Sequence, residues 1–245
     1  MAQALLFPLL ESGQLSSAGV QAAVASQASA ERLRQQHPGL QVSTEALAAW
    51  RCEALLLAVK PQQLEAVVAA APAPTSAEPP LLISVLAGVT VARLQRLFPG
   101  WRIVRAVPNT PCLVRAGLTG LAWGEGVSAE QQAWVQQLFA QVGEVLQLPE
   151  AQLDAFLALA SSGPAFVAMV AEAMADGAVA AGLPRVQAHH LAHRTLAGTA
   201  ALLQEQQLHP AQLKDMVSSP GGTTIAGIRA LESGGLRAAL IEAVL

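Results

Sequence analysis

The 245-residue chain contains no tyrosine and only two cysteines, Cys52 and Cys112. The first absence removes tyrosine as a catalytic acid. The second excludes a disulfide framework, and two isolated thiols without metal-like spacing point to a reducing compartment, here the cytoplasm. Charged residues make up only 13%, and Lys60 and Lys214 are the only lysines. A net charge of −3 with no run of Lys and Arg argues against a nucleic-acid partner. No basic region precedes the first apolar stretch, so no signal peptide is expected. The most membrane-like run, 155–171, is interrupted at Ser161, Ser162, Gly163 and Pro164 and flanked by Asp154 and Glu172, so no membrane span is expected. Hydrophobic residues reach 53%, much of the excess being alanine and leucine. Such a surplus predicts burial between subunits as well as within one.

The first half alternates between two patterns. Residues 54–59 (ALLLAV), 81–86 (LLISVL) and 102–107 (RIVRAV) are short continuous apolar runs that end in loop residues. Their ends are Lys60-Pro61, Gly88 and Pro108-Asn109-Thr110-Pro111. Runs of this kind separated by helical stretches predict a parallel sheet covered on both faces. Further strands are expected near 21–26, 40–42, 117–123 and 144–148, with helices over 31–36 and 129–141. From about Pro149 the period becomes wholly helical. A doubly wound parallel α/β domain over residues 1–149, followed by an all-helical domain over 150–245, fits both halves. Ligands in open parallel sheets sit beyond the carboxyl ends of the strands, which places Ala58–Pro61 and Val107–Pro111 at a ligand edge.

The most informative segment is Pro210–Glu232, PAQLKDMVSSPGGTTIAGIRALE. Two serines, a proline and two glycines lead into two threonines and an apolar helical pattern. Ile225, Ile228 and Leu231 recur at spacing three and predict one buried helical face. The loop offers free N–H groups and hydroxyls at a helix start, which suits a small carboxylate or phosphate. Gly221 and Gly222 allow close backbone approach, there being no Cβ. An ordinary N-cap by Ser219 or Thr223 explains the same residues without a ligand.

These segments together resemble the Δ1-pyrroline-5-carboxylate reductase family. The resemblance is carried by the C-terminal signature from Pro210 to Glu232, by AVKP at 58–61, VPNTP at 107–111, SGPAF at 162–166 and ADG…GLPR from Ala175 to Arg185. It implies a Rossmann-like first domain and a helical dimerisation domain. It also implies an oxidoreductase that uses NADPH or NADH to reduce a cyclic imino acid to proline. Carried over, Ser219, Gly221, Gly222 and Thr223 would hold the substrate carboxylate. The Thr224 hydroxyl would hydrogen-bond the ring nitrogen and serve as the catalytic position. Ala58, Lys60, Pro61, Val107, Pro108 and Asn109 would line the cofactor. A homodimer at least is implied, with further assembly into rings possible for such dimers. A non-catalytic homologue that keeps the helical dimer, or another imine or β-hydroxyacid dehydrogenase, is the competing expectation.

The chain departs from the family at its start. The family opens with a strand and a glycine-rich turn, whereas Met1 and Ala2 match only the end of that motif. The expectation is that Met1 is an internal methionine preceded by roughly ten residues carrying the first, central strand and its pyrophosphate-binding turn. Glu45 falls where the family places an asparagine near the ribose, which leans towards NADH. His189 and His193, four apart, could reach one metal, but no third ligand is evident and a surface or interface helix is the preferred reading.

Overall fold

The computed structural model describes residues 1–76 and 78–245. It divides into a sheet unit, Met1–Ser161, and a helical unit, Ser162–Leu245. The sheet unit runs α1 (Ala2–Glu11), β1 (Gln21–Ala23), α2 (Gln27–Gln36), β2 (Gln41–Ser43), β3 (Ala54–Leu57), α3 (Leu64–Ala70), β4 (Leu81–Ser84), α4 (Val91–Leu97), β5 (Arg102–Pro108), β6 (Gly117–Trp123), α5 (Ala129–Ala140), β7 (Gly143–Gln147) and α6 (Leu153–Phe156), ending in a π-helical turn at Leu157–Ser161.

Its strands form two sheets. β1 and β2 pair with each other in parallel, while β3-β4-β5-β6-β7 form a five-stranded sheet. The larger sheet is parallel through β3, β4 and β5, but β6 runs antiparallel to β5 and β7 then runs parallel to β6. The expected parallel sheet is therefore mixed. The segment between Pro108 and Gly117 is too short for the crossover that a parallel neighbour requires, so the chain turns back on itself.

Alternation along the central strands explains their continuous apolar sequence. Leu81 and Ile83 of β4 and Val104 and Ala106 of β5 face a core shared with Leu5, Leu121, Val135 and Phe139. Leu82 and Ile103 face the opposite core with Leu57, Leu64, Leu94 and Phe98. Both faces are covered, so every β4 residue is buried. Trp50 belongs to the second core, stacked on Phe98 with ring centroids 5.8 Å apart and edge-on to Trp101 at 5.7 Å.

The helical unit comprises α7 (Gly163–Ala180), α8 (Arg185–Glu205), α9 (Pro210–Met216), α10 (Thr223–Ser233) and α11 (Leu236–Val244). α7 and α8 meet along a seam of small residues, with Ala175, Ala188 and Ala192 buried together. α10 and α11 bury no residue. The buried face expected from Ile225, Ile228 and Leu231 is thus not buried within the chain. Ile225 is 43% exposed and Leu231 53%. Periodicity marks an apolar face, but a face needs a covering surface to be buried.

One helical stretch, Glu150–Ala180, contains an 18-residue window of mean hydropathy 1.6 and is long and apolar enough to cross a membrane by length and composition. Its first part is committed to the sheet: Leu153 is fully buried with Val107 and Ala122.

Candidate active site

β3, β4 and β5 run in the same direction, so their carboxyl ends share one edge of the sheet. Ala58–Lys60 follow β3 directly, and Pro61 opens a 3-10 turn at Pro61–Gln63 that leads into α3. Pro is suited to that first position because its fixed φ matches the turn and its missing N–H has no partner to lose. The Lys60 N–H is held by Gln63 Oε1 at 3.3 Å. Val107 and Pro108 end β5, one strand beyond β4. Two strand spacings of about 4.8 Å separate the two motif ends, a span of about 10 Å along the edge. Ala58 is half-buried and small, and Lys60 and Pro61 are exposed.

Asn109 is 5% exposed and already engaged at both ends of its amide. Its Oδ1 accepts the Leu118 N–H at 2.8 Å, and its Nδ2 donates to the Ala160 carbonyl at 2.8 Å. The first contact closes the β5–β6 turn. The second holds the π-helical turn at Leu157–Ser161.

Sequence reasoning passed over Arg105. It lies in the middle of β5 with a side chain 2% exposed, and pairs with Glu150 (3.3 Å) and Asp154 (2.9 Å). Glu150 Oε1 also accepts the Val91 N–H at 2.6 Å, satisfying a donor at the start of α4. The available signal was a charged residue inside an otherwise apolar strand, RIVRAV.

In the helical unit, Ser218 Oγ donates to the Lys214 carbonyl at 2.7 Å, and the Gly222 N–H donates to the Ser219 carbonyl at 3.0 Å. Gly221 has φ +68°, a left-handed conformation that turns the chain into α10. A Cβ on Gly222 would lie 3.1 Å from the Ser219 carbonyl oxygen. Gly222 itself is the N-cap, and no side chain caps the helix. Neither Ser219 nor Thr223 therefore performs the ordinary capping role. The first N–H with a helical acceptor is that of Ala226, to the Gly222 carbonyl at 3.3 Å. Among the described residues those of Thr223, Thr224 and Ile225 have none. Three donors without a partner, two threonines and the positive end of an 11-residue helix therefore coincide here, a combination of the kind that suits an anion. The expected substrate residues, Ser219 and Gly221–Thr224, thus lie in one loop, and the expected cofactor residues lie along one sheet edge. The two groups belong to different units.

The remaining reactive groups are quiet. Burial pushes the Cys52 and Cys112 thiols up from their ordinary value, partly offset for Cys112 by a backbone hydrogen bond at Asn109. His189 and His193 stand one turn apart on α8 with ring centroids at 6.2 Å, and no third His, Cys, Asp or Glu joins them among the described residues. Glu45 is exposed, its N–H held by Ser43 Oγ at 2.9 Å, and lines a cavity of about 390 Å³ beside β1 and β2.

A Rossmann-like sheet followed by a helical unit is an architecture used by NAD(P)-dependent oxidoreductases, and the chain falls in that class by its matches as well as by its fold. The family descriptions that match agree with it: "NADP oxidoreductase coenzyme F420-dependent" over residues 1–88, and "Pyrroline-5-carboxylate reductase dimerisation" over residues 150–245. A pyrroline-5-carboxylate reductase of Synechocystis sp. is 52% identical over 192 residues, 78% of this chain and 71% of that protein. The structure of a pyrroline-5-carboxylate reductase from Coxiella burnetii superposes with a TM-score of 0.86 at 32% identity, covering 99% of this chain and 90% of that one. That of the Plasmodium falciparum enzyme with NADP bound gives 0.85 at 24% identity, over 99% and 89%. The chain belongs to the pyrroline-5-carboxylate reductase family.

Proposed function

We propose that the protein transfers a hydride from NAD(P)H to the cyclic imine of Δ1-pyrroline-5-carboxylate and so forms L-proline. Residues 1–149 serve the cofactor, and residues 150–245 bind substrate and dimerise. The observation that carries this reading is the uncapped start of α10, where a substrate carboxylate would meet the free N–H groups of Thr223, Thr224 and Ile225. Ser219 would add a hydroxyl, and Gly221 and Gly222 would keep the approach open. Charge-assisted hydrogen bonds of this kind are worth about 1.5–3 kcal/mol each.

The cofactor supplies the hydride when bound. Ala58, Lys60, Pro61, Val107, Pro108 and Asn109 would hold its nicotinamide and ribose at the sheet edge, Asn109 through the loop that its side chain shapes. We assign no residue to the pyrophosphate. A protonated imine is already electrophilic, so the chain's own residues need only align and orient it. Thr224 is too weak an acid to titrate, and its hydroxyl would accept or share the hydrogen bond of the ring nitrogen.

The exposed apolar faces of α10 and α11 support self-association, as does the dimerisation family that matches this region. A homodimer at least would cover them, and dimers could assemble further into rings. Two free thiols suit a reducing, cytoplasmic setting.

The test is oxidation of NADPH and NADH with Δ1-pyrroline-5-carboxylate, with proline identified as product. Absence of turnover with both cofactors overturns the reading. Thr224→Ala should lower kcat by about 10-fold or more, the equivalent of one lost site hydrogen bond at ~1.4 kcal/mol. Unchanged kinetics would remove the role given to that hydroxyl.

A further inference from the structure

We propose that Arg105 is a positioning residue, which together with Asn109 clamps the segment Glu150–Ser161 onto β5 and fixes where the chain leaves the sheet unit. The proposal rests on the reductase reading above, because the clamped strand carries the edge proposed for the nicotinamide.

Arg105 is flanked in register by Ser84 of β4 and Ala122 of β6. Its neighbours along the same face of β5, Ile103 and Val107, belong to two separate apolar clusters. A guanidinium in such a place is costly to desolvate, and its Nε has no hydrogen-bond partner. Removing the arginine alone would leave Glu150 and Asp154 without their cation, a loss that water softens because those side chains are 32% and 82% exposed. A buried ion pair adds little net stability against its desolvation cost, so the directional bonds of Arg105 are the stronger account of the residue.

Arg105 Nη1 donates to Glu150 Oε1 at 3.3 Å and Nη2 donates to Asp154 Oδ1 at 2.9 Å. Further along the same strand direction, Asn109 Nδ2 reaches the Ala160 carbonyl at 2.8 Å. Between these points Leu153, Phe156 and Leu157 pack on Val107 and Ala122. Apolar contact sets how much surface is covered but is non-directional, so it tolerates sliding. Directional bonds at two points along a strand do not. The same stretch, Arg105 to Asn109, carries the VPN edge proposed for the nicotinamide. It also holds the turn ending at Ser161, the last residue of the unit.

The test uses the full chain with Arg105→Met, Arg105→Lys and Asp154→Asn. Thermal midpoint, NADPH affinity, kcat for imine reduction and amide hydrogen exchange over residues 150–161 are measured on each. Arg105→Met should lose little of its thermal midpoint, its two former partners being open to water, and keep its cofactor affinity while kcat falls about 10-fold or more, as misalignment from a distance does. Exchange over 150–161 should quicken by about 10-fold through local opening. Arg105→Lys should recover part of kcat, having the charge without the planar fork. Should Arg105→Met fail to fold, Asp154→Asn carries the same expectations, since that side chain is 82% exposed. A fall in kcat that merely follows a fall in thermal midpoint overturns the proposal, as does unchanged exchange. If the unsubstituted protein reduces no imine, the reductase reading fails by itself and the exchange comparison alone decides the clamp.

Discussion

Between Met1 and Ser161, side chains such as Leu82, Ile103 and Leu121 are wholly removed from solvent, whereas between Ser162 and Leu245 the buried residues among those described are Ala171, Ala175, Ala188 and Ala192. The contrast is one of side-chain size as much as of number. Burying a leucine or phenylalanine contributes about 1.5–3 kcal/mol, and an alanine methyl far less. Ordering each residue costs about 1–2 kcal/mol of backbone entropy in either unit. The sheet unit meets that cost from its own interior. The helical unit instead keeps Val167, Met169, Met174, Leu231, Leu240 and Ile241 at its surface. Its stability should therefore depend on a second copy and on protein concentration.

The sharpest way to break this comparison is to damage the unit that stands alone. Gly143 has φ +148°, and a Cβ there would run into the Gly117 carbonyl across the start of the β6–β7 pair. Gly143→Ala should cost about 3 kcal/mol or more from strain and overpacking, read as a lower urea midpoint. A wild-type midpoint would show that the strand pair has room to give. Next comes the unit that does not stand alone. Leu231→Asp places a charge on the open face of α10 and should weaken self-association at least about 100-fold while leaving the sheet unit folded. Sedimentation over a range of concentrations reads this directly, and unchanged mass would exclude that face from the contact.

The smallest effect separates the units by their thiols, both of which lie in the sheet unit. Their pKa values are raised by burial from the ordinary 9.0. The folded state thus favours the neutral thiol. Its contribution to stability is complete below pH 9.0 and is lost as pH rises through the folded values. Native Cys112 should alkylate about 10-fold or more slowly than the urea-unfolded chain at pH 8. Equal rates would mean that the interior of the sheet unit opens readily.

Much of this was legible beforehand for local reasons. Strands β4 and β5 announce themselves because both faces are covered, which demands unbroken apolar residues. Proline and glycine mark where they stop. The reversal at β6 was not legible from apolar pattern, since direction depends on the length of the connection and not on the composition of the strand. α10 shows the complementary limit. Ile225, Ile228 and Leu231 reveal a face, but the surface that covers it lies outside their own helix. At the site, the two sheet-edge motifs and the serine-glycine-threonine loop could be read directly. The capping position could not, because it turns on a single backbone angle at Gly221. The partners of Arg105 lie 45 and 49 residues away in sequence, beyond the reach of any local pattern.

The split between the two sheets has its own consequence. β1 and β2 are three residues each and, among the described residues, pair as strands with each other and not with the five-stranded sheet. A lone pair of strands is marginal in water, so this lobe rests on the small cluster around Ala30, Leu33, Leu40 and Val42. Its amides should therefore exchange with solvent sooner than those of the five-stranded sheet. A protease would find its first cut there, and the polypeptide's breathing would be paced by its thinnest layer.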